Sequence, residues 1–532
     1  MLAIGPSTIP YCRGNDNRGL FTTLDVTRKG TILCIKKGII LNESFWSFSD
    51  YSTRDIRIIS SIDKLTTFLL DKDNSVSYLD FIKDPLNTKL VNAELTESVK
   101  DGMVVLKTTT EILANSELFI SFGKESWIAE FRSCEWSLTN NLYNTMVKQS
   151  MLAYHIDKSE ITKAALDNQT SQIIQNYIES HMSWQNSTNH SSVNVLVYKQ
   201  NSCYINSVLQ CLARIPALTQ LLLNTNLFEN MDDSTFLHKY INLIKKMTNK
   251  KESWTEMRKW NNLILDFRTG INPAFIPGTQ WDAPELYESL LNKFCEENQK
   301  FEFVKHHLFC FYREVDTTCS NGHHKVSLRN EYLLNLPIEN CKQTTENSSL
   351  YSRIIYSMKI RAHPTGLAAD KKQYTQFKCA ECIYHKLDYT TSESYKILHM
   401  PNILVIQLHR FYFDSNSMTT EFDNTIVAFD KYLTLPEGDS VVHYELIGLI
   451  TYIGNASHGH YLAYVVDPSN QWWLLNDLPR AHQEPTCDPE QVDASDVYSE
   501  KKTAYVFFYR KISGINNDKI INMLKDCYGQ ND

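Results

Sequence analysis

The stretch Asn201-Ser-Cys-Tyr-Ile-Asn-Ser-Val-Leu-Gln-Cys-Leu212 combines a cysteine with the apolar spacing of a helix. Its apolar residues recur at i, i+3, i+4 and i+7, namely at Ile205, Val208, Leu209 and Leu212. This spacing predicts one buried face of a helix that Pro216 ends, with Cys203 in the first turn. Unpaired N–H groups and the helix dipole favour a thiolate there and could also hold an oxyanion, so we expect a lowered thiol pKa and a nucleophile. A cysteine at such a position is also often an inert core residue, and the context has to decide.

The composition is that of a globular protein. The chain has 532 residues, 42% of them hydrophobic, 11% aromatic and 21% charged, which is enough to build cores in about three or four domain-sized units. Thirteen cysteines scattered over this length predict reduced thiols, a nucleophile or a metal site rather than a disulfide scaffold.

The charge and the apolar runs exclude two classes of partner. The formal net charge is −8, so we expect no direct nucleic-acid binding. The sequence has no apolar run of membrane-spanning length, so we expect no membrane segment. Its start lacks a basic segment and breaks at Gly5 and Pro6, which argues against a signal peptide. These features predict an intracellular protein of the cytoplasm or the nucleus.

The residue composition and the apolar pattern change along the chain and predict four segments. Residues 1–130 mix short β-rich runs with turn residues and predict a compact, mostly β domain. Residues 131–192 predict a helical connector followed by a polar linker. Residues 193–511 change from helices to long strands, and residues 512–532 form a short charged tail. The β-rich runs of the first segment are Thr31–Lys36, Met103–Lys107 and Glu117–Phe122.

The Cys203 stretch resembles the cysteine box of ubiquitin-specific proteases, usually written Gly-Asn-Thr-Cys-Tyr-x-Asn-Ser-x-Leu-Gln. The positions in register are Asn201, Ser202, Cys203, Tyr204, Asn206, Ser207, Leu209 and Gln210. The resemblance implies that Cys203 is the nucleophile. Gln200 departs by replacing the family's glycine, and Tyr198 departs by replacing the asparagine that helps to hold the oxyanion. A phenolic O–H can also donate, so we expect Tyr198 and Asn201 on the oxyanion side. Losing one such donor costs on the order of 10²–10³ in rate, which leaves activity open.

A second block, Gln280-Trp-Asp-Ala-Pro-Glu-Leu-Tyr, predicts the start of a helix. Asp282 as N-cap and Glu285 three residues later form the pattern of a capping box. The block also resembles the family's Gln-Gln-Asp-Ala-x-Glu-Phe. The resemblance implies that Asp282 and Glu285 lie beside the bound ubiquitin tail, where a carboxylate would suit the arginines of that tail.

Three stretches near the end predict paired strands, namely Tyr444–Gly454, Gly459–Val466 and Trp472–Asp477. They resemble the family's histidine box, which implies His460 as general base, Asn476 as the residue that orients its ring and Asp477 as a polar neighbour that assists. A thiol needs a base within hydrogen-bond reach and a third group that fixes the tautomer of that base. His458 competes for the role of base, but the Gly-His-Tyr context favours His460. The run Ala504–Arg510 resembles the family's last strand.

A C-x-x-C pair, Cys379 and Cys382, follows Cys319 by sixty residues. Family members often hold a tetrahedral zinc with two such pairs, and here Gly322 replaces the second cysteine of the first pair. His323 or His324 could complete a set of three cysteines and one histidine. We expect a structural zinc held by Cys319, His323, Cys379 and Cys382, or a decayed site whose cysteines only pack. Catalysis would need no cofactor.

The front of the chain resembles SET domains, the fold of many S-adenosylmethionine-dependent lysine methyltransferases. The resemblance lies in Asn17–Ile32, Tyr78–Pro85 and Glu117–Gly123. The functional positions have changed, because the expected glycine, Asn-His pair and catalytic tyrosine are replaced by Asn17, Asp80 with Phe81, and Phe122. We therefore expect a degenerate SET-like domain that does not use S-adenosylmethionine. A generic small β domain and a working methyltransferase, which would make the protein bifunctional, are the alternatives.

Together the resemblances predict an α+β protein, with a papain-like cysteine protease of thumb, palm and fingers at residues 193–511 and a mostly β SET-like domain in front. The implied partners are ubiquitin and ubiquitinated proteins, and the implied reaction hydrolyses the peptide or isopeptide bond after ubiquitin's C-terminal glycine. The alternative is a ubiquitin-binding scaffold whose oxyanion hole is spoiled at Tyr198. A relative of ubiquitin with a similar Gly-Gly tail is an alternative modifier.

Overall fold

The structure is a computed structural model. It describes residues 2–6, 18–26, 28–29, 32–37, 39–41, 56–59, 67–70, 90–98, 103–121, 158–184, 193–224, 226–228, 231–248, 252, 254–265, 268–322, 324–338, 349–357, 361–363, 391–414, 418–437, 440–455, 458–478 and 488–512. Several predicted positions lie outside these residues, namely Asn17, Asp80, Phe81, Phe122, His323, Cys379, Cys382 and the tail from residue 513.

The described residues form strands and helices in the following order. The strands are β1 (Leu2–Pro6), β2 (Arg18–Thr22), β3 (Ile32–Lys37), β4 (Ile39–Leu41), β5 (Ile56–Ile59), β6 (Thr67–Leu70), β7 (Ala93–Ser98), β8 (Met103–Thr108), β9 (Phe311–Cys319), β10 (His324–Glu331), β11 (Leu334–Pro337), β12 (Arg361–His363), β13 (Thr391–His399), β14 (Ile403–His409), β15 (Phe411–Asp414), β16 (Thr419–Phe422), β17 (Tyr432–Glu437), β18 (Ser440–Gly454), β19 (Gly459–Val466), β20 (Trp472–Leu475), β21 (Glu490–Val492) and β22 (Ala504–Lys511). The helices are α1 (Lys158–Ser180), α2 (Cys203–Leu212), α3 (Pro216–Asn224), a 3₁₀ turn (Asn226–Phe228), α4 (Phe236–Thr248), α5 (Trp254–Leu265), α6 (Arg268–Ile271), α7 (Ala283–Glu297), α8 (Lys300–Phe309), α9 (Leu350–Ser357) and α10 (Ala494–Ser499).

The chain divides into two compact units. The first comprises residues 1–170, 314–329 and 360–395, and the second comprises residues 171–313, 330–359 and 396–532. In the first unit β1 pairs with β2, and β8 lies between β3 and β7. A further sheet has the order β12-β13-β9-β10-β4-β6-β5. Two stretches far apart in the sequence of this unit are neighbours, because the Thr22 N–H donates to the Ser116 carbonyl at 3.0 Å and Phe21 forms a bridge with Glu117.

The second unit is built on a sheet of order β11-β14-β22-β18-β19-β20-β21, with β17 also paired to β18. Both faces of this sheet are covered. Val506 and Phe508 of β22 pack in the cluster that contains the buried side chains of α2, whereas Phe507 and Tyr509 pack in a second cluster with Ile354 of α9. Because successive side chains of a strand point to opposite faces, an unbroken apolar run such as that of β22 suits a sheet buried on both sides.

Most predicted elements are confirmed. Strands form at β3, β8, β18, β19, β20 and β22, and α2 begins at Cys203. Two details differ: α2 ends at Leu212, and Pro216 begins α3 instead of ending α2. This suits proline, whose missing N–H is harmless in the first turn of a helix. The described part of the predicted run Glu117–Phe122, residues 117–121, is not a strand, and Glu117 instead forms an isolated bridge with Phe21.

Among the residues that the structure describes, no helix combines the length and the hydropathy that crossing a membrane requires.

Candidate active site

Cys203 is the first residue of α2 and is 2% exposed. All ten residues of this helix are buried, so its start lies in the core. Backbone N–H groups of Tyr461, Tyr204 and Cys203 itself point at the thiol and lower its pKa, but burial outweighs them and raises the pKa of Cys203 to about 11. The expectation of a lowered thiol pKa is therefore wrong for the free protein, because desolvation of a thiolate in the core exceeds the effect of the helix start.

His460 is the second residue of β19 and stands directly before Tyr461. Its Nε2 lies 3.0 Å from Asn476 Oδ1 and 3.4 Å from Asp477 Oδ1. Both partners are acceptors, so the geometry assigns the ring proton to Nε2 and leaves Nδ1 as the basic nitrogen. Burial lowers the pKa of His460, and the bond to Asn476 opposes this shift. The resting pair is thus a neutral imidazole and a neutral thiol.

Asn476 is itself held in place. Its Oδ1 also accepts a bond of 3.1 Å from the Leu478 N–H, which fixes the direction of the amide. Because both groups donate to it, the Oδ1 atom of Asn476 faces His460, and the amide nitrogen points elsewhere.

Asp477 is 3% exposed and binds the helix that carries Cys203. Its Oδ2 accepts from Asn206 Nδ2 at 2.7 Å, and its backbone carbonyl accepts from the Tyr198 N–H at 3.0 Å. Burial raises the pKa of Asp477 to about 7, although the bond from Asn206 lowers it. Asn206 was part of the matched cysteine box, but its spacing gave no sign of this role.

Tyr198 and Asn201 form a chain of hydrogen bonds. The Tyr198 hydroxyl donates to Asn201 Oδ1 at 2.6 Å, and Asn201 Nδ2 donates to the Gly278 carbonyl at 2.6 Å. The Tyr198 ring stands edge-on to His460 with 6.1 Å between ring centroids. Burial raises the pKa of Tyr198, so the phenol keeps its proton. In the free protein this proton is directed at Asn201, and backbone N–H groups are the donors that face the thiol.

Gln280 brackets the start of β19 from both sides. Its Nε2 donates to the Gly459 carbonyl at 2.7 Å, and its Oε1 accepts from the Gly459 N–H at 3.4 Å. The ring of Tyr452 occupies the space that a Cβ at Gly459 would need. Gln280 and Tyr452 thus fix the residue before His460, a role that the sequence analysis did not assign to either.

Asp282 is the N-cap of α7, as predicted, but the capping box is wrong. Its side chain makes no cap hydrogen bond. Its two carboxylate oxygens instead accept from the hydroxyls of Tyr461 at 3.0 Å and Tyr505 at 2.8 Å. Burial raises the pKa of Asp282 to about 6, against the lowering effect of these two bonds. Glu285 is exposed.

Of the predicted zinc ligands, the structure describes Cys319. It ends β9, is 3% exposed, and is followed by a tight turn in which the Gly322 N–H donates to the Cys319 carbonyl at 2.9 Å. Gly322 has a φ of 80°, which suits glycine. Within the described part of the chain, no group of three or more His, Cys, Asp or Glu side chains could hold a metal ion.

The part of the chain that contains this site is similar to a known protein family. The family model described as ubiquitin carboxyl-terminal hydrolase matches residues 196–509. Ubiquitin carboxyl-terminal hydrolase 8 of Saccharomyces cerevisiae is 22% identical over 328 residues, which are 53% of this chain and 65% of that protein. Probable ubiquitin carboxyl-terminal hydrolase 16 of Schizosaccharomyces pombe is 26% identical over 297 residues, which are 53% of this chain and 61% of that protein. The chain thus spans less than two thirds of the length of these curated relatives.

The fold is similar to that of a solved structure, the SAGA Ubp8/Sgf11/Sus1/Sgf73 DUB module bound to ubiquitin aldehyde. The TM-score is 0.50 at 20% sequence identity, over 66% of this chain and 76% of the matched one. At this identity the similarity establishes the fold alone.

Proposed function

Because this chain belongs to the ubiquitin carboxyl-terminal hydrolase family, we propose that it is a thiol hydrolase that cleaves the peptide or isopeptide bond after ubiquitin's C-terminal glycine. The observation that carries the proposal is the approach of the Tyr461 N–H, next to His460, to the Cys203 thiol. A nucleophile and a base on adjoining elements, with Asn476 holding the base, are what thiol hydrolysis requires.

In the first half of the proposed reaction, the Cys203 sulfur attacks the carbonyl carbon of the scissile bond. Its proton passes to His460, whose Nε2 keeps its bond to Asn476. Because the resting pair is neutral, this transfer accompanies attack instead of preceding it. The Asp477 carboxylate, 3.4 Å from Nε2, stabilises the imidazolium that forms.

In the second half, His460 returns the proton to the leaving amine, the carbon–nitrogen bond breaks, and ubiquitin remains as a thioester on Cys203. A water molecule then loses a proton to His460 and attacks the thioester, which releases the ubiquitin carboxylate and restores the thiol. The residues named supply every proton transfer, so the chemistry needs no cofactor.

We further propose that the oxyanion is held by backbone N–H groups at the start of α2, with Tyr198 and Asn201 supporting them from behind. The bond from the Tyr198 hydroxyl to Asn201 favours this arrangement, since it uses the proton that Tyr198 would otherwise offer. The exposed Glu285 carboxylate faces the arginines of the ubiquitin tail, whereas Asp282 holds Tyr461 and Tyr505.

Two further parts of the chain carry proposals of their own. A structural zinc is held by Cys319, Cys379 and Cys382 with His323 or His324, which is supported by the tight turn that directly follows Cys319. Zinc content of the wild type and of Cys379→Ala tests this: one equivalent lost in the variant supports it, and no zinc in either overturns it.

The SET-like front has lost methyl transfer, and measurable binding of S-adenosylmethionine by calorimetry would contradict that.

The proposed function is tested with a ubiquitin probe that carries a thiol-reactive group at its C-terminus. We expect one ubiquitin adduct on the wild type, none on Cys203→Ala and slow labelling of His460→Ala. Absence of an adduct on folded wild type would overturn the proposal. A ubiquitin affinity measurement on the same sample then separates a binding scaffold from a protein that uses a related modifier.

A further inference from the structure

The turn before Cys203 has an uncommon backbone. Gln200 and Asn201 are two successive residues with positive φ, at 51° and 59°. Side chains of L-residues clash in this left-handed region, which asparagine tolerates better than glutamine and glycine adopts freely. The cysteine box has glycine at the position of Gln200, so this chain needs another means of holding the turn.

Arg268 contacts both oxygens of Gln200. Its Nη2 donates to Gln200 Oε1 at 2.9 Å, and its Nη1 donates to the Gln200 carbonyl at 3.3 Å. Its Nε donates to the Leu265 carbonyl at 3.0 Å, which fixes the guanidinium on the end of α5. Arg268 is 2% exposed, whereas Gln200 is exposed. A planar guanidinium suits two acceptors at a fixed separation, and lysine could not replace it.

The position of this turn sets the start of α2. The Lys199 N–H donates to Ser202 Oγ at 2.9 Å, so the turn closes on the N-cap residue. The Ser202 carbonyl in turn accepts the Ile205 and Asn206 N–H groups, both at 2.9 Å. A change in the backbone at Gln200 would therefore shift Ser202 and the N–H groups next to Cys203.

We propose that the Gln200 side chain and Arg268 act as a positioning pair that replaces the family's glycine and fixes the Cys203 thiol and its neighbouring N–H groups for attack. The inference rests on the proposed function, because it concerns the same nucleophile. Its rival is that Arg268 only stabilises the junction of α5 and α6 through Leu265.

Substitutions at Gln200 test the pair, since this residue is exposed and a new side chain there meets solvent. Gln200→Met keeps the conformational cost of a positive φ and loses the side-chain oxygen that accepts from Arg268. We therefore expect kcat on a ubiquitin fluorogenic substrate to fall by about tenfold or more with little change in KM. Gln200→Glu keeps an acceptor for Arg268 and should retain activity. Gln200→Gly removes both the side chain and the conformational cost of a positive φ, so it should be more active than Gln200→Met. Asn470→Gly, at another left-handed residue with φ of 60°, is the matched control.

A second series asks whether Arg268 acts through Gln200. We expect Arg268→Met to lower kcat in the wild-type background and much less in the Gln200→Gly background, with thermal unfolding confirming that each variant folds. Equal losses in the two backgrounds would overturn the proposal in favour of the rival. So would a Gln200→Gly variant that is no more active than Gln200→Met.

The rate of Cys203 alkylation by iodoacetamide, followed on the Cys203 peptide by mass spectrometry, keeps this test independent of ubiquitin. If the wild type does not hydrolyse ubiquitin, the proposed function fails. The positioning pair then still predicts that Gln200→Met and Gln200→Gly change this rate and its pH dependence differently. Identical profiles for the two variants would refute the pair on its own.

Discussion

Asn206 donates from Nδ2 to Asp477 Oδ2 at 2.7 Å across 271 residues of sequence. The bond joins the helix that begins at Cys203 to the segment after β20, whose Asn476 binds His460. The same amide nitrogen lies 3.1 Å from Ser202 Oγ and 3.2 Å from the Val197 carbonyl, so one side chain ties three segments of the site together.

Asn206→Ala should therefore lower both activity and stability. Leaving buried partners without their donor costs about 1–3 kcal/mol, and we expect a lower melting temperature together with a fall in kcat of about tenfold or more. Gln175→Ala is the control, because within the described residues its amide donates to the exposed Glu179 on α1, far from the site. A variant with wild-type kcat would show that Asp477 needs no support from α2.

Asp477→Asn should change the pH dependence of kcat/KM. In the wild type the rate rises as His460 loses its proton, below the ordinary pKa of histidine, and rises again as Asp477 ionises near its pKa of about 7. The variant lacks the second rise, so it should equal the wild type at acid pH and fall behind it above pH about 7. A rate ratio that stays constant with pH would rule out a role for the Asp477 charge.

Asp282→Asn should flatten the pH dependence of stability. The folded pKa of Asp282, about 6, is raised above the unfolded value, so its stabilising contribution is complete below the unfolded pKa and is lost as pH rises through 6. One proton changes stability by at most about 1.4 kcal/mol per pH unit. Melting temperatures between pH 4 and pH 7 should decline less in the variant, and parallel declines would contradict the assignment.

Gly459→Ala should displace His460. The new Cβ would meet the ring of buried Tyr452, and such overpacking costs about 1–3 kcal/mol. The double variant with Tyr452→Leu makes room and should regain stability. Gly270→Ala is the matched control, because nothing lies within 4 Å of a Cβ there. Thermal unfolding and probe labelling of these three variants check this, and a stable, active Gly459→Ala would disprove the close packing.

Tyr198→Phe separates two sources of the oxyanion hole. If backbone N–H groups hold the oxyanion, the loss of the hydroxyl should cost less than about tenfold in kcat, whereas a lost oxyanion donor costs about 10²–10³. Tyr351→Phe, at a half-exposed tyrosine of α9, is the control. A loss in the larger range would assign the oxyanion to Tyr198.

Local patterns predicted much of the architecture. The start of α2 at Cys203 and the pairing of β18, β19 and β20 follow from spacing within short stretches, because helix and strand periods are properties of neighbouring residues. The resemblance to the cysteine and histidine boxes likewise predicts Cys203, His460, Asn476 and Asp477 as site residues.

Local patterns therefore account for most of the elements named above and for the residues that stand in the motifs. The chemical state and the hydrogen-bond partners of those residues depend on the tertiary structure. Burial raises the pKa of Cys203, although its place at a helix start predicted the opposite. The Asp282 carboxylate bonds two tyrosines of distant strands instead of its own helix, and Arg268 holds Gln200 from 68 residues away. Desolvation and hydrogen bonding depend on which remote atoms surround a group, and no local pattern contains that information.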